Sequence, residues 1–149
     1  MRRVSGILLI LFLASGSWAS AGAPRIINIS GGDDMKFSVT TLTAKPGESI
    51  RVRLTSKGVL PKIAMAHNFV LLKIGTDVVK FVEAGAPFRQ TDFVAPALKD
   101  KVIAKTTFAG PGETVEVLFT APATPGKYPF ICTFSGHVME GMRGTLIVK

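Results

Sequence analysis

The sequence contains one cysteine and two histidines, and their spacing is typical of a metal site. Cys132, His137 and Met142 follow one another with the spacing C-x4-H-x4-M, and His67 lies far upstream. Two imidazoles, a thiolate and a thioether suit copper in both oxidation states, because the sulfur ligands favour Cu(I) and the imidazoles also accept Cu(II). These residues therefore predict a mononuclear copper site that carries one electron.

Each of these residues also has an ordinary structural interpretation when it is taken alone. A single cysteine after the apolar residues 128–131 is more often a small buried hydrophobic residue than a ligand, and a single histidine or methionine more often packs in a core or lies at the surface. Taken together, the residues favour metal binding over these structural interpretations, because every histidine and cysteine of the chain belongs to one spacing that is typical of metal sites. Zinc accepts the same imidazole and thiolate ligands, so it remains an alternative metal.

Short strands are predicted to position the ligands. Residues 48–55 alternate, with Ile50, Val52 and Leu54 on one face and polar residues on the other, which is the pattern of a half-buried strand. Three Pro-Gly pairs mark turns before strand-like runs. The other predicted strands are residues 25–29, 36–40, 67–73, 102–107, 113–120, 127–133 and 144–148. Eight short strands in one domain indicate an all-β antiparallel sandwich or barrel.

Residues 75–100 interrupt this pattern of strands. Thr76 and Asp77 are suited to cap a short helix over residues 78–84, and Gly85, Pro87 and Pro96 prevent a longer regular element. We expect an excursion between two strands here.

The first 21 residues have the features of a secretory signal peptide. Two arginines precede an apolar run, and Ala19-Ser20-Ala21 forms a small-x-small cleavage site. The run is short for a membrane span, which needs about 20 apolar residues, although a retained anchor is the alternative. We expect an exported, most simply periplasmic, protein with a single domain over residues 22–149 and no membrane span in the mature chain.

The chain is basic, with a formal net charge of +8 that falls by two when Arg2 and Arg3 leave with the signal peptide. A basic surface favours acidic partners. Nucleic acid is not predicted as a partner, because the basic residues are scattered and are not interleaved with aromatic residues.

Two segments resemble the cupredoxins, the small blue-copper proteins, and within them azurin and auracyanin. The first is residues 65–71 (MAHNFVL), and the second is residues 130–137 (FICTFSGH) followed by residues 141–146 (GMRGTL). The second segment is highly specific. Weaker similarity extends over most of residues 24–149.

This resemblance implies a Greek-key β-sandwich of about eight strands that holds one copper ion. It implies that His67, Cys132 and His137 are the equatorial ligands and that Met142 is the long axial ligand. Met139 is the alternative methionine, but Met142 lies in the matching MRGTL context.

The resemblance also implies roles for residues around the ligands. Asn68 would form hydrogen bonds near Thr133 and the Cys132 sulfur, which orients ligands and tunes the potential. The Ala66 carbonyl would be an additional weak axial contact. Ser135 stands where the family usually has proline, which predicts a looser ligand loop.

Members of the family expose the edge of the loop histidine through an apolar patch on which redox partners dock. The predicted patch here consists of Leu60, Pro61, Met65, Val138 and Met139. An apolar patch with a basic periphery favours transient redox-partner proteins.

The sequence leaves two other classes of function open. A copper carrier or storage protein would use similar ligands but would exchange its metal. An enzyme is disfavoured, because copper oxidases and nitrite reductases need further histidines that this chain lacks. A thiol hydrolase built on Cys132 and His137 would need a lowered cysteine pKa and a cleft.

Overall fold

Two β-sheets hold the eight strands that the computed structural model describes within residues 22–149. The predicted signal peptide, residues 1–21, lies outside the described residues. The strands are β1 (Arg25–Gly31), β2 (Thr41–Ala44), β3 (Ser49–Ser56), β4 (Val70–Leu72), β5 (Val102–Lys105), β6 (Thr114–Thr120), β7 (Gly126–Ile131) and β8 (Arg143–Val148). One sheet has the order β1-β3-β6 and the other β2-β8-β7-β4-β5. The prediction of a β-sandwich of about eight strands is confirmed.

The two sheets are mixed, not purely antiparallel. β1 pairs with β3 in parallel, and β2 pairs with β8 in parallel. The first pair is parallel because β2, which lies between them in the sequence, belongs to the other sheet, so the chain crosses over and returns in the same direction. The remaining strand pairs are antiparallel, as predicted.

The apolar side chains on one face of β3 pack into the space between the two sheets. Ile50, Val52 and Leu54 are completely buried, as their period of two predicts. They share one core cluster with Phe69, which directly precedes β4, and with Phe130 of β7. The ring centroids of these two phenylalanines lie 5.1 Å apart.

The prediction of a strand over residues 36–40 is wrong. Phe37 makes only an isolated bridge to Gly31, because Met35 has a φ of 53° and turns the chain back against the end of β1. The strand that follows, β2, was not predicted. Its buried Leu42 and Ala44 alternate with exposed threonines over only four residues, which is a weak signal.

The excursion between β4 and β5 contains the predicted helix, α1 (Val78–Gly85), and two short 3₁₀ helices, Arg89–Thr91 and Pro96–Lys101. Asp77 caps α1 by accepting hydrogen bonds from the backbone N–H groups of Val79 and Lys80. The helix covers a second apolar cluster, which consists of Val70, Leu72, Phe81, Val94, Ile131 and Val138. Within residues 22–149, no helix is both long and apolar enough to cross a bilayer.

Gly144 allows β8 to pack closely against its neighbours. It pairs with Phe130. A Cβ on Gly144 would lie 2.2 Å from Phe130 Cζ and 2.5 Å from the Thr40 carbonyl oxygen, so there is no room for a side chain.

We expect Gly144→Ala to lower the free energy of unfolding by about 3 kcal/mol, as overpacking does when backbone must shift. Chemical denaturation measures this loss. Gly22→Ala, where a Cβ meets no atom within 4 Å, is the control, and an equal effect of both variants would contradict the interpretation.

Candidate metal centre

Three side chains that can bind a metal meet at one end of the sandwich. Nitrogen or sulfur atoms of His67, Cys132 and His137 all lie within 4.8 Å of one another, and all three residues are buried. Cys132 Sγ lies 3.4 Å from His137 Nδ1. The structure therefore brings together the histidines and the cysteine that the sequence singled out.

The backbone holds these residues from two directions. Cys132 follows β7, and His137 lies in the loop between β7 and β8. His67 precedes β4 and is fixed by paired hydrogen bonds with the backbone of Ala109, at 3.0 and 2.8 Å. The loop between β7 and β8 therefore supplies two of the groups, and a neighbouring strand supplies the third.

Met142 lies beside this group. Its backbone N–H donates to the His137 carbonyl at 2.8 Å, and its own carbonyl accepts from the Cys132 N–H at 3.1 Å. The Met142 side chain is completely buried. A Cβ on Gly31 would lie 2.5 Å from Met142 Cε and 3.2 Å from His67 Cγ, so the thioether methyl and the imidazole adjoin the same small space. Met139, in contrast, is 67 % exposed.

The polar atoms of this cluster have the properties of metal ligands. Both ring nitrogens of His67 are buried without a hydrogen-bond partner among the described residues. Buried polar atoms are seldom left unpaired, and binding of an ion is one of the accepted reasons. The two imidazoles, the thiol and the thioether match the donor set that copper prefers, so the residues present fit a copper ion.

Burial disfavours the charged forms of the imidazoles and of the thiol in this cluster. It lowers the pKa of His67 and brings that of His137 to about 4, because charged imidazolium is poorly solvated there. It raises the pKa of the Cys132 thiol to about 12 for the same reason. A catalytic cysteine needs the opposite, a lowered pKa and partial exposure, so the thiol-hydrolase alternative is not supported.

Asn68 joins the strand of His67 to the ligand loop. Its Oδ1 accepts the Thr133 backbone N–H at 2.9 Å, and its Nδ2 donates to Thr133 Oγ1 at 2.8 Å. The Ala66 carbonyl oxygen lies 3.9 Å from Cys132 Sγ. Ala66, Asn68 and Thr133 are all buried.

Sequence reasoning missed one partner in this network, Asp92. Thr133 Oγ1 donates to the Asp92 carbonyl at 2.6 Å, which ties the excursion to the ligand loop. Asp92 and Phe93 have φ values of 58° and 56°, in the left-handed region that such residues seldom adopt. Aspartate tolerates this region better than most residues, but nothing in the sequence signals it for Phe93.

We expect Asn68→Ala to lower the free energy of unfolding by about 3 kcal/mol, because it leaves the buried Thr133 N–H unpaired and opens a cavity. Thermal or chemical unfolding measures the loss. Asn28→Ala removes the same side chain from an exposed position on β1 and should have little effect. Equal losses in the two variants would show that the hydrogen bonds of Asn68 contribute nothing.

The predicted docking patch is only partly at the surface. Leu60, Pro61 and Met139 are exposed, and Met65 is half-buried. Val138 is 2 % exposed, because its side chain turns inward to the cluster under α1, so its assignment to the patch is corrected.

Two exposed apolar residues next to the patch were missed, Val59 and Ile63. They lie in the same loop as Leu60, and the run Gly58-Val59-Leu60-Pro61 would have indicated Val59.

Known proteins are similar to this chain in sequence and in fold. Residues 25–149 match the family described as copper binding proteins, plastocyanin/azurin family. The chain is 35 % identical to auracyanin-A of Chloroflexus aurantiacus over 132 residues, which cover 87 % of this chain and 78 % of that protein. It is 33 % identical to azurin of Pseudomonas aeruginosa over 153 residues, covering 100 % of this chain and 99 % of that one.

Solved structures agree with the sequence comparisons. The reduced auracyanin of Roseiflexus castenholzii superposes with a TM-score of 0.74 at 32 % identity, over 86 % of this chain and 99 % of that chain. The protein therefore belongs to the plastocyanin/azurin family of blue-copper electron-transfer proteins.

Proposed function

We propose that residues 1–21 direct the export of this protein and are then removed, and that the mature protein shuttles single electrons between redox-partner proteins in the periplasm. Its copper would be held by His67, Cys132 and His137, with Met142 as the weaker axial ligand. The observation that carries the assignment is the buried cluster of three potential ligand atoms within 4.8 Å, in which neither His67 ring nitrogen has a hydrogen-bond partner within residues 22–149.

The copper ion would supply the Cu(II)/Cu(I) couple, and the protein would supply a fixed set of ligands. Backbone hydrogen bonds hold His67 to Ala109 and Met142 to both Cys132 and His137. Asn68 links the two segments. Such a framework limits how far the ligands move between oxidation states, which keeps the barrier to electron transfer low. The Ala66 carbonyl would add a weak axial contact, since it already faces the thiol.

Exposed apolar residues in the loop after β3 and in the ligand loop would form the docking surface, namely Val59, Leu60, Pro61, Ile63 and Met139, with Met65 at its inner edge. The net positive charge of the chain favours acidic partners. A small apolar contact with a charged periphery suits transient complexes that form and dissociate rapidly.

An electron carrier and a copper carrier differ in what happens to the metal. Both histidines and the cysteine belong to one cluster, so the sequence offers no further histidine for a separate copper that would bind a substrate. The electron-carrier proposal requires that the copper stays bound in both oxidation states.

We expect the copper-loaded protein to pass through repeated cycles of reduction and oxidation with a reversible voltammetric response and unchanged copper content. The measurement combines protein-film voltammetry with metal analysis after gel filtration in the presence of a Cu(I) chelator. Transfer of copper to the chelator on each reduction would instead indicate a copper carrier.

The amino terminus of the exported protein, determined by mass spectrometry, tests the cleavage after Ala21.

A further inference from the structure

A surface cavity of about 250 Å³ lies beside the candidate metal centre, with Ala66 and Phe134 in its lining. We call it the aromatic cavity. Its lining includes Lys62, Ile63, Arg89, Phe93, Phe108 and Phe134. Its volume is just below the range of about 300–1,000 Å³ that is typical of sites for drug-sized ligands. A compound with a single ring is therefore the right size.

Three phenylalanine rings give the cavity a preformed aromatic wall. Phe93, Phe108 and Phe134 contact one another edge to face, with centroids 5.6 to 6.0 Å apart and interplanar angles of 70° to 89°. Phe93 is buried and the other two are half-buried. Such a wall favours another aromatic ring, which can stack or meet the edges of these rings.

The rim of the cavity provides one free positive charge. Lys62 is paired with Glu113 at 2.6 Å, so its charge is largely compensated. Arg89 makes no salt bridge with any described residue, and its Nη2 donates only to the Ile63 carbonyl, at 3.3 Å. A guanidinium with free donors binds a carboxylate through two parallel hydrogen bonds.

We propose that the aromatic cavity binds a small aromatic carboxylate, with its ring against the three phenylalanines and its carboxylate on Arg89. An uncharged aromatic compound would form no ion pair with Arg89, and an aliphatic acid would make no edge-to-face contacts with the phenylalanine rings. The combination of one uncompensated cation and an aromatic wall therefore selects for both features of the ligand.

The location of the aromatic cavity connects it to the metal centre. The ring of Phe134 lies 4.9 Å, centroid to centroid, from the ring of His137. Ala66, which also lines the cavity, directly precedes His67. A bound ligand would therefore be separated from a candidate metal ligand by one aromatic side chain. Binding itself does not depend on the electron-carrier role.

Fluorine NMR of para-fluorobenzoate with the Cu(I)-loaded protein tests the proposal. We expect saturable line broadening at millimolar ligand, with shifts of protein resonances at Ile63 and Phe134. Arg89→Gln should weaken binding about tenfold, as loss of a charge-assisted contact does, and Arg89→Lys should retain part of the affinity. Para-fluorobenzamide, which has the same shape without the charge, should bind about tenfold more weakly than the acid.

Lys127→Gln is the matched control, because it removes one charge from an exposed position outside the cavity. It should leave the affinity unchanged. The proposal is overturned if the acid and the amide bind equally, if Arg89→Gln and Lys127→Gln behave alike, or if the shifts cluster around Met139. Absence of saturable binding in the wild-type protein would also overturn it, and retention of the visible spectrum of the Cu(II) form in each variant shows that the fold is intact.

Discussion

Cys132→Ser is expected to abolish the intense visible absorption of the copper-loaded protein. In a site with two imidazoles and one thiolate, that band arises from charge transfer between the thiolate and copper, and Cys132 is the only cysteine of the chain. Serine has nearly the same shape and places a hard hydroxyl at the same position. The measurement is the visible spectrum after loading with Cu(II), together with the copper content.

The matched control for this variant is Met139→Leu, which alters an exposed residue of the same loop and should leave the band intact. Circular dichroism verifies that the serine variant is folded. Zinc bound during purification would occupy the site and prevent copper binding, so any bound metal is removed before loading and the zinc and copper contents are measured. A wild-type protein that binds copper without an intense band, or a serine variant that keeps the band, would contradict the assignment of Cys132 as a ligand.

Gly31→Ala is expected to disturb the metal centre although Gly31 provides no ligand. Its new methyl group would lie 2.5 Å from Met142 Cε and 3.2 Å from His67 Cγ, both closer than ordinary contacts allow. The Met142 side chain must move, because the backbone of β1 is fixed by its pairing with β3. The free energy of unfolding should fall by about 2 kcal/mol, and the reduction potential should change, because the axial ligand tunes it.

Gly32→Ala provides a control one residue away. A Cβ there meets only the flexible Asp34 carboxylate, at 3.2 Å. Voltammetry and denaturation of both variants separate an effect on Met142 from a general effect of alanine in this segment. If both variants keep the wild-type potential, Met142 does not act as an axial ligand.

The sequence predicted the metal centre well because its residue types are scarce. With two histidines and one cysteine in the chain, few ligand sets exist, and the described structure gathers all three. The choice of Met142 as the fourth ligand required the context of its neighbours, since Met139 lies in the same loop. The methionines differ in burial, which spacing alone does not reveal.

Other features depended on contacts between distant segments. Val138 lies beside His137 in the sequence, yet its side chain turns inward and packs in the apolar cluster that α1 covers. The strand predicted over residues 36–40 has suitable alternation, but the turn at Met35 allows it only one bridge. Asp92 enters the site through its backbone carbonyl, which is the same chemical group in every residue. Patterns of side chains carry no information on such contacts.

The pairing of strands that are distant in the sequence affects the order in which the protein folds and acquires its metal. β2, near the start of the domain, pairs with β8 at its end, and Asn68 binds Thr133 across 65 residues of sequence. Contacts between such distant residues form only after long chain loops have closed, which makes folding of this topology comparatively slow. A nascent chain therefore offers copper only scattered ligands, and tight binding becomes an indicator that the whole domain has finished folding.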